Sequence, residues 1–320
     1  MRRLFLLMLL LPAVVLAQEK YPNRAIRIIV PFAPGGASDF VGRIMQPRLG
    51  ELLGQPIVVE NRPGASGNIG VDAAAKSAPD GYSVFLGNVG TIAINPSVFP
   101  SLAVNPLRDL IAVTQVVDVP SMLIAHPSVP FNSLQELIAY AKANPGKLNY
   151  ASPGSGSLDR LEMEVLRRIA GLDMVHVPYK GGAGPAVAGL MGGETQVMFA
   201  TAASAMPAVK GGKAKALGVT GTTRLEQVPN AATMMEQGYP DLTASSWQGF
   251  FVPVGTPQEV IEKLHDAAVQ TMKTPEVISR LATGGAFPLT SASPAAFAEY
   301  VAAETKRWAR IARESNATPD

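Results

Sequence analysis

The sequence predicts an α/β protein whose sheets are built largely from parallel strands. Short β-branched runs alternate with amphipathic helical patterns, and one such unit follows another about every 25–30 residues. The 30 glycines and 27 prolines among 320 residues are typical of a chain with many βα turns. Because 47% of the residues are hydrophobic, a chain of this length can bury the cores of two domains.

The first βα unit carries a glycine bend that suits an anion. Ile26–Val30 is a β-branched run that predicts a buried strand, and Pro31 ends it. Pro34 and the two glycines after it predict a tight bend, and Ser38 and Asp39 can then cap a helix. A strand, a bend and a helix start aim several backbone N–H groups at one point, which attracts an anion. A βα turn without a ligand is the alternative for this stretch taken alone.

The same alternation continues to the end of the chain. The predicted strands after the first are 57–59, 83–86, 111–117, 122–125, 148–151, 175–177, 196–199, 214–219 and 247–252. Between them we expect helices near 69–76, from 134, from 158, near 185–191 and from 258, and a last one with 297–311 on its inner face. The loop at 152–157 repeats the glycine bend of the first unit, so each half of the chain has one.

No motif in the sequence requires catalysis or a bound metal. The absence of cysteine excludes disulfides, Cys-based zinc sites, a cysteine nucleophile and lipidation on cysteine. His126, His176 and His265 lie far apart without metal-ligand spacing. Gly154 and Gly156 begin a dinucleotide fingerprint, but Asp159 stands where its third glycine should fall. The sequence contains neither a phosphate-binding loop ending in Gly-Lys-Ser/Thr nor the Gly-x-Ser-x-Gly motif around the nucleophilic serine of many hydrolases.

Two groups of polar residues leave an alternative open. Ser155, Ser157 and His176 could meet as a Ser–His hydrolase pair, although we expect a structural role for His176 on its strand. The carboxylates of Asp39, Asp159 and Glu162 lie near predicted helix starts, where capping explains them. A periplasmic hydrolase therefore stays as an alternative function.

The first residues predict an export signal. Arg2 and Arg3 precede the apolar run Leu4–Leu16, which is too short to span a bilayer comfortably, and we place cleavage after Ala17. No later run is long enough to cross a membrane. The 27 Lys and Arg include Arg2 and Arg3, so 25 remain against 25 Asp and Glu. A neutral mature chain without a basic run argues against nucleic acid as a partner.

Several stretches together resemble a known family. They are Ile28–Asp39, Gly54–Asn68, Pro79–Tyr82, Asn144–Gly156, His176–Gly181, Gly211–Thr220 and Gly255–Pro257, in this order over nearly all of the mature chain. In these stretches the sequence is similar to the Bug-type solute receptors of the tripartite tricarboxylate transporter family.

The resemblance implies a fold and a function. The fold is the type II periplasmic-binding-protein (Venus flytrap) fold, with two lobes that each hold a central, mostly parallel sheet flanked by helices. Lobe 1 would comprise residues 18–124 and 224–320, and lobe 2 residues 125–223. The implied function is a monomeric periplasmic receptor, without cofactor, metal or catalytic residue. It binds a di- or other organic carboxylate between the lobes and passes it to membrane permease subunits. A ligand-presenting sensor subunit is the alternative.

The resemblance also implies the ligand contacts. They are Phe32, Ala33, Gly35, Gly36, Ala37, Ser38, Asn88, Gly90, Thr91, Ser155, Gly156, Ser157, Arg160, Ala200, Thr201 and Ser204. Two positions depart from the family pattern, because many relatives have histidine where Arg160 stands and aspartate where Ala200 or Thr201 stands. We expect Arg160 either to accept a second anionic group or bulkier tail of the ligand, or to be a surface residue.

Overall fold

The computed structural model describes residues 21–315 and 318–319, so the predicted leader and its cleavage site lie outside the described residues. The strands are β1 (Ile26–Val30), β2 (Ile57–Asn61), β3 (Ser83–Asn88), β4 (Leu110–Ala125), β5 (Asn149–Ser152), β6 (Val175–Pro178), β7 (Val197–Thr201), β8 (Lys215–Val219), β9 (Ser245–Pro253) and β10 (Phe287–Pro288). The helices are α1 (Ala37–Leu53), α2 (Asn68–Ala75), α3 (Asn95–Val98), α4 (Pro106–Asp109), α5 (Leu134–Ala143), α6 (Leu158–Ala170), α7 (Ala183–Met191), α8 (Ala202–Lys210), α9 (Gln258–Met272), α10 (Pro275–Ala282) and α11 (Pro294–Glu314).

The strands form two sheets that share β4. In the first sheet β2, β1 and β3 are parallel, and β9, β10 and residues 110–120 of β4 join them in antiparallel pairs. In the second sheet β6, β5 and β7 are parallel, while β7 and β8 pair antiparallel with residues 121–125 of β4. The predicted βαβ units therefore occur in both sheets. Strands were predicted within β4 and β9, but their antiparallel direction was not.

Strand β4 is one element where the sequence pattern predicts two. It continues through Pro120, which is the last residue to pair with β9, and Ser121 is the first to pair with β7. A proline lacks the N–H that a sheet needs, so it is tolerated where the pairing partner changes. The next amide, on Ser121, donates to the hydroxyl of Thr220 at 2.9 Å. The expectation of a break between 117 and 122 is thus wrong, because β4 changes its pairing partner at this point without ending.

The helix after the first glycine bend is confirmed, but its predicted cap is wrong. Gly36 is the N-cap residue, with an extended backbone, and Ser38 and Asp39 lie inside the first turn. The Asp39 carboxylate instead accepts the amide of Gly35 at 3.2 Å and the guanidinium of Arg43 at 2.9 Å. The apolar stripe of α1 packs into the main core, which also holds much of β1, β4 and α9.

Four helices, α3, α4, α8 and α10, were not predicted. The side chains of α8 are small and buried on nearly every face, from Ala202 to Ala208, so they show no amphipathic period. Residues 200–204, which the pattern places in a loop, thus span the end of β7 and the start of α8. Among the described residues no helix is both long and apolar enough to cross a membrane.

Candidate functional site

A cavity lies where loops of the two sheets meet. The space between the loops is about 530 Å³ when the open solvent at its mouth is counted. The lining residues are Phe32, Gly36, Ala37, Ser38, Ser66, Asn88, Val89, Gly90, Pro153, Gly156, Ser157, Leu158, Asp159, Ala183, Thr201 and Ser246. Most of them follow the carboxyl ends of β1, β3, β5 and β7, where α/β folds place their ligands.

Two helix starts contribute to the wall of this cavity. Helix α1 begins after Gly36, and α6 begins after Ser157, whose hydroxyl accepts the amide of Arg160 at 3.2 Å. The first amides of a helix have no partner within it and carry the positive end of the helix dipole. Since Ala37, Ser38 and Leu158 line the cavity, both helices present this end to it. The arrangement therefore favours an anionic group.

Glycines allow the loops of the two sheets to touch. A methyl group on Gly90 would lie 3.0 Å from the carbonyl oxygen of Gly156, and one on Gly156 would overlap the side-chain oxygen of Asn95. A backbone bond joins the sheets as well, from the amide of Ala33 to the carbonyl of Gly181 at 2.8 Å. The cavity is thus closed by direct contact between the bends, and larger residues would hold them apart.

A pair of hydrogen bonds fixes the loop after β3. The amide of Thr91 donates to the Asn88 side-chain oxygen at 2.9 Å, and the amide of Asn88 donates to the Thr91 hydroxyl at 3.1 Å. Thr91 is fully buried, whereas Asn88 lines the cavity. Thr91 therefore holds Asn88 in place.

The structure brings many of the predicted contacts together. Those on the cavity wall are Phe32, Gly36, Ala37, Ser38, Asn88, Gly90, Gly156, Ser157 and Thr201. Those outside its lining are Ala33, Gly35, Thr91, Ser155, Arg160, Ala200 and Ser204. Ala200 is buried within β7, and the Ser204 hydroxyl lies 2.9 Å from that of Thr201. For all of them the ligand contact stays a prediction.

Arg160 belongs to a cluster beside the cavity. Its side chain is 13% exposed, so the expectation of a surface residue is wrong. Its Nε donates to the Glu164 carboxylate and its Nη1 to His176 Nδ1, both at 2.9 Å. These contacts direct the guanidinium away from the cavity lining and give no support to a second anionic group there.

The same cluster removes the support for a Ser–His hydrolase. His176 Nε2 lies 2.6 Å from the hydroxyl of Ser152. A guanidinium only donates, so His176 Nδ1 accepts from Arg160 and Nε2 carries the proton that it gives to Ser152. A catalytic pair needs the opposite direction, with the serine donating to an unprotonated nitrogen. The imidazole is therefore structural, as expected for a residue on β6.

Two carboxyl groups are buried at the start of α6. Asp159 is 4% exposed and accepts the Ser121 hydroxyl at 3.1 Å, while Glu162 is 3% exposed and neither of its oxygens has a hydrogen-bond partner within the described chain. Burial raises the pKa of Asp159 to about 7. Burial, followed by the charge of Asp159, raises the pKa of Glu162 well above its ordinary value. Capping is thus the wrong explanation for both, since the partner of Asp159 lies on β4 and Glu162 is past the first turn.

Sequence reasoning missed part of the cavity wall. The residues concerned are Ser66, Val89, Pro153, Leu158, Asp159, Ala183 and Ser246. Ser66 lies in a turn-rich loop and Pro153 in the second glycine bend, so composition marks their neighbourhood. Ser246 lies on β9, where no local pattern announces a site. Over residues 21–315 and 318–319 no group of His, Asp and Glu is placed to hold a metal ion.

Two joined α/β sheets with an anion-favouring cavity between their loops are typical of the periplasmic-binding-protein class. The family model described as "Tripartite tricarboxylate transporter family receptor" (TctC) matches residues 41–317. The chain therefore belongs to this family, which confirms the resemblance seen in its motifs and makes it a solute-binding receptor rather than an enzyme.

Individual relatives agree with this assignment. Protein BugT of Bordetella pertussis is 37% identical over 95% of this chain and 93% of its own length. The structure of the periplasmic binding protein BugD has a TM-score of 0.89 at 32% identity and covers 94% of this chain and 100% of BugD. The expected periplasmic-binding-protein fold is thereby confirmed.

Two similar structures contain a ligand. MatC from Rhodopseudomonas palustris with bound malate is 33% identical, with a TM-score of 0.85 and coverage of 91% of this chain and 99% of MatC. Rpa4515 of R. palustris with adipate is 31% identical, with a TM-score of 0.90 and coverage of 94% of this chain and 100% of Rpa4515.

Proposed function

We propose that the chain is a periplasmic receptor that closes on a small organic carboxylate in the cavity between its two sheets. The observation that carries the proposal is the start of α1, where Gly36, Ala37 and Ser38 line a cavity that the bend at Gly156 and Ser157 closes from the second sheet. The first bend would hold the carboxylate on its amides. Malate in MatC and adipate in Rpa4515 are carboxylates in structures of the same fold.

The energy available from such contacts is sufficient. A hydrogen bond to a charged group contributes about 1.5–3 kcal/mol net. A partly buried helix end adds up to about 2 kcal/mol. Three or four contacts, less the cost of association, reach the roughly 8 kcal/mol of a micromolar complex. The carboxylate therefore needs no arginine in the cavity wall.

The wider role follows from the family. The mature protein would begin after Ala17, with lobe 1 formed by residues 18–124 and 224–320 and lobe 2 by residues 125–223, and it would act as a monomer. Ligand binding would stabilise the closed arrangement by a hinge motion. The closed receptor would then deliver its ligand to the permease subunits of a tripartite tricarboxylate-type transporter. Loss of uptake of that carboxylate in a deletion strain tests this step.

Binding itself is tested with a thermal-shift screen over mono-, di- and tricarboxylates, followed by calorimetry. A true ligand at a hundredfold excess over its Kd stabilises the protein by about 2.7 kcal/mol and is recovered unchanged. Saturable stabilisation by no carboxylate, or conversion of one into a product, would contradict the proposal.

Two serine caps provide a matched pair of variants. Ser157 caps α6 at the cavity, and Ser133 caps α5 with the same hydroxyl-to-amide bond, at 3.1 Å to Glu136, outside the cavity lining. Both Ser157→Ala and Ser133→Ala should lower the free energy of unfolding by about 1 kcal/mol. Only Ser157→Ala should also weaken carboxylate binding, by roughly fivefold, which is about 1 kcal/mol. Equal affinities in the two variants would place the ligand elsewhere.

A further inference from the structure

One part of the cavity wall is acidic. Among the described residues that line the cavity, Asp159 is the ionisable one, and the others are glycines, small polar residues and apolar residues. The start of α1 gives the cavity a positive end made of backbone amides, and Asp159, at the start of α6, adds an ionisable residue to the wall on the side of the second sheet. One part of the cavity wall thus favours an anionic group of a ligand, and another part favours a cationic group.

Few hydrogen-bond donors surround the carboxylate of Asp159 in the described chain. Within the described chain the side-chain donor that reaches it is Ser121 on β4, at 3.1 Å to Oδ1. Glu162 stands one turn further along α6, buried and without a hydrogen-bond partner. Thr220, the other hydroxyl that acts on this pair, gives its proton to the carbonyl of Ala244 at 2.7 Å. The groups that act on the two carboxyls are thus two hydroxyls and each other, without a cation.

We infer that Asp159 binds a cationic hydrogen-bond donor, so that the ligand is a short monocarboxylate with an ammonium group at its other end rather than a second carboxylate. This inference rests on the proposed carboxylate function. An ammonium supplies both the opposite charge and the donors that Asp159 lacks. A second carboxylate would meet Asp159 and the nearby Glu162 as like charges unless the pair stayed protonated.

The affinities for an ammonium ligand and for a dicarboxylate should change with pH in opposite directions. An ammonium ligand favours ionised Asp159, so its binding releases a proton below the pKa of Asp159 and becomes tighter as the pH rises. A dicarboxylate needs protonated Asp159, so its binding takes up a proton and weakens as the pH rises. Because burial raises the pKa of Asp159 to about 7, both trends should appear between about pH 6 and pH 8.

The test compares ligands that differ only in their distal group. 4-Aminobutanoate, 4-hydroxybutanoate and succinate place a nitrogen or an oxygen the same number of bonds from the first carboxylate. 3-Aminopropanoate, 3-hydroxypropanoate and malonate form the set that is one carbon shorter. Their affinities for the full mature protein are measured by calorimetry in two buffers of different ionisation enthalpy, which counts the protons exchanged.

We expect the amino acid of one set to bind best at the higher pH. Its affinity should rise about tenfold from about pH 6 to pH 8, since the ionised fraction of Asp159 rises from about 0.1 to about 0.9. Tighter binding of succinate or malonate, with proton uptake, would overturn the inference and leave the proposed function intact. Equal binding of all three distal groups would overturn it too. Binding by none of the six would overturn this inference, and the wider carboxylate screen would then decide on the proposed function separately.

Two variants test the role of the side chain. Asp159→Asn keeps the size and an acceptor for Ser121 but removes the charge, so the preference for ammonium and the proton release should both disappear. Glu162→Gln, one turn away and outside the cavity lining, should keep the preference. Loss of the preference in Glu162→Gln with its retention in Asp159→Asn would overturn the assignment to Asp159. The number of protons released when the unchanged protein binds its ligand can be measured even if neither variant folds.

Discussion

Replacing Asp159 by asparagine should make the ligand-free protein more stable at high pH. Burial raises the pKa of this carboxyl from its ordinary 3.8 to about 7, so the folded state binds a proton that the unfolded state has lost. Stability must therefore fall as the pH rises from about 4 to about 7, and the loss is complete above about pH 7. A tenfold change in proton affinity equals about 1.4 kcal/mol, so the ionised carboxylate costs the folded state about 4 kcal/mol.

Urea unfolding of the ligand-free protein at about pH 5 and pH 8 measures this cost. Asp159→Asn should be stabilised relative to the unchanged protein by up to about 3 kcal/mol more at pH 8 than at pH 5, because part of the cost is already present at pH 5 and the amide keeps its bond from Ser121 without a charge. Asp241→Asn, an exposed aspartate, should leave the difference between the two pH values unchanged. Equal effects of Asp159→Asn at both pH values would refute the reasoning.

Two further variants separate effects on the closure of the bends around the ligand from effects on the stability of the fold. The added methyl group of Gly156→Ala overlaps the Asn95 side chain and should weaken carboxylate binding at least tenfold, about 1.4 kcal/mol, while calorimetry of the ligand-free protein shows little change in Tm. Unchanged affinity would mean that the bends do not close on the ligand. Arg160→Ala should lower the free energy of unfolding by roughly 1–3 kcal/mol, because Glu164 loses a buried hydrogen bond, and should leave carboxylate affinity within about twofold; a larger loss of affinity would return Arg160 to the binding site.

Local sequence signals were enough to predict the parts of the fold that are determined within a single βα unit. β1 has the bounds that its β-branched run predicts, and the two glycine bends line one cavity because each follows a parallel strand and precedes a helix. The serine caps of α5 and α6 also follow local rules. These features depend on neighbours within a few residues, which a sequence displays directly.

The features that escaped prediction depend on partners far along the chain. The continuity of β4 through Pro120 depends on its pairing with β9 up to this residue and with β7 after it, and α8 shows no helical period because it is buried on nearly every face. Arg160 could not be placed without knowing that His176 on β6 and Glu164 on α6 surround it. The sequence pattern predicts capping roles for Asp159 and Glu162, because nothing local shows that both are buried and that Ser121 of β4 reaches Asp159.

The cost of Asp159 to the stability of the folded protein also suggests a reason for its position in the cavity wall. A single hydroxyl bond from Ser121 offsets only a part of the desolvation of a buried charge, and the unpartnered Glu162 adds to the cost. An apolar or amide side chain of the same size would make the empty receptor more stable. A group that destabilises the free protein and faces the cavity is characteristic of a binding site whose missing partner arrives with the ligand. The energy recovered by pairing Asp159 would then appear only in the closed, liganded state, which is the bias that a receptor needs to signal occupancy.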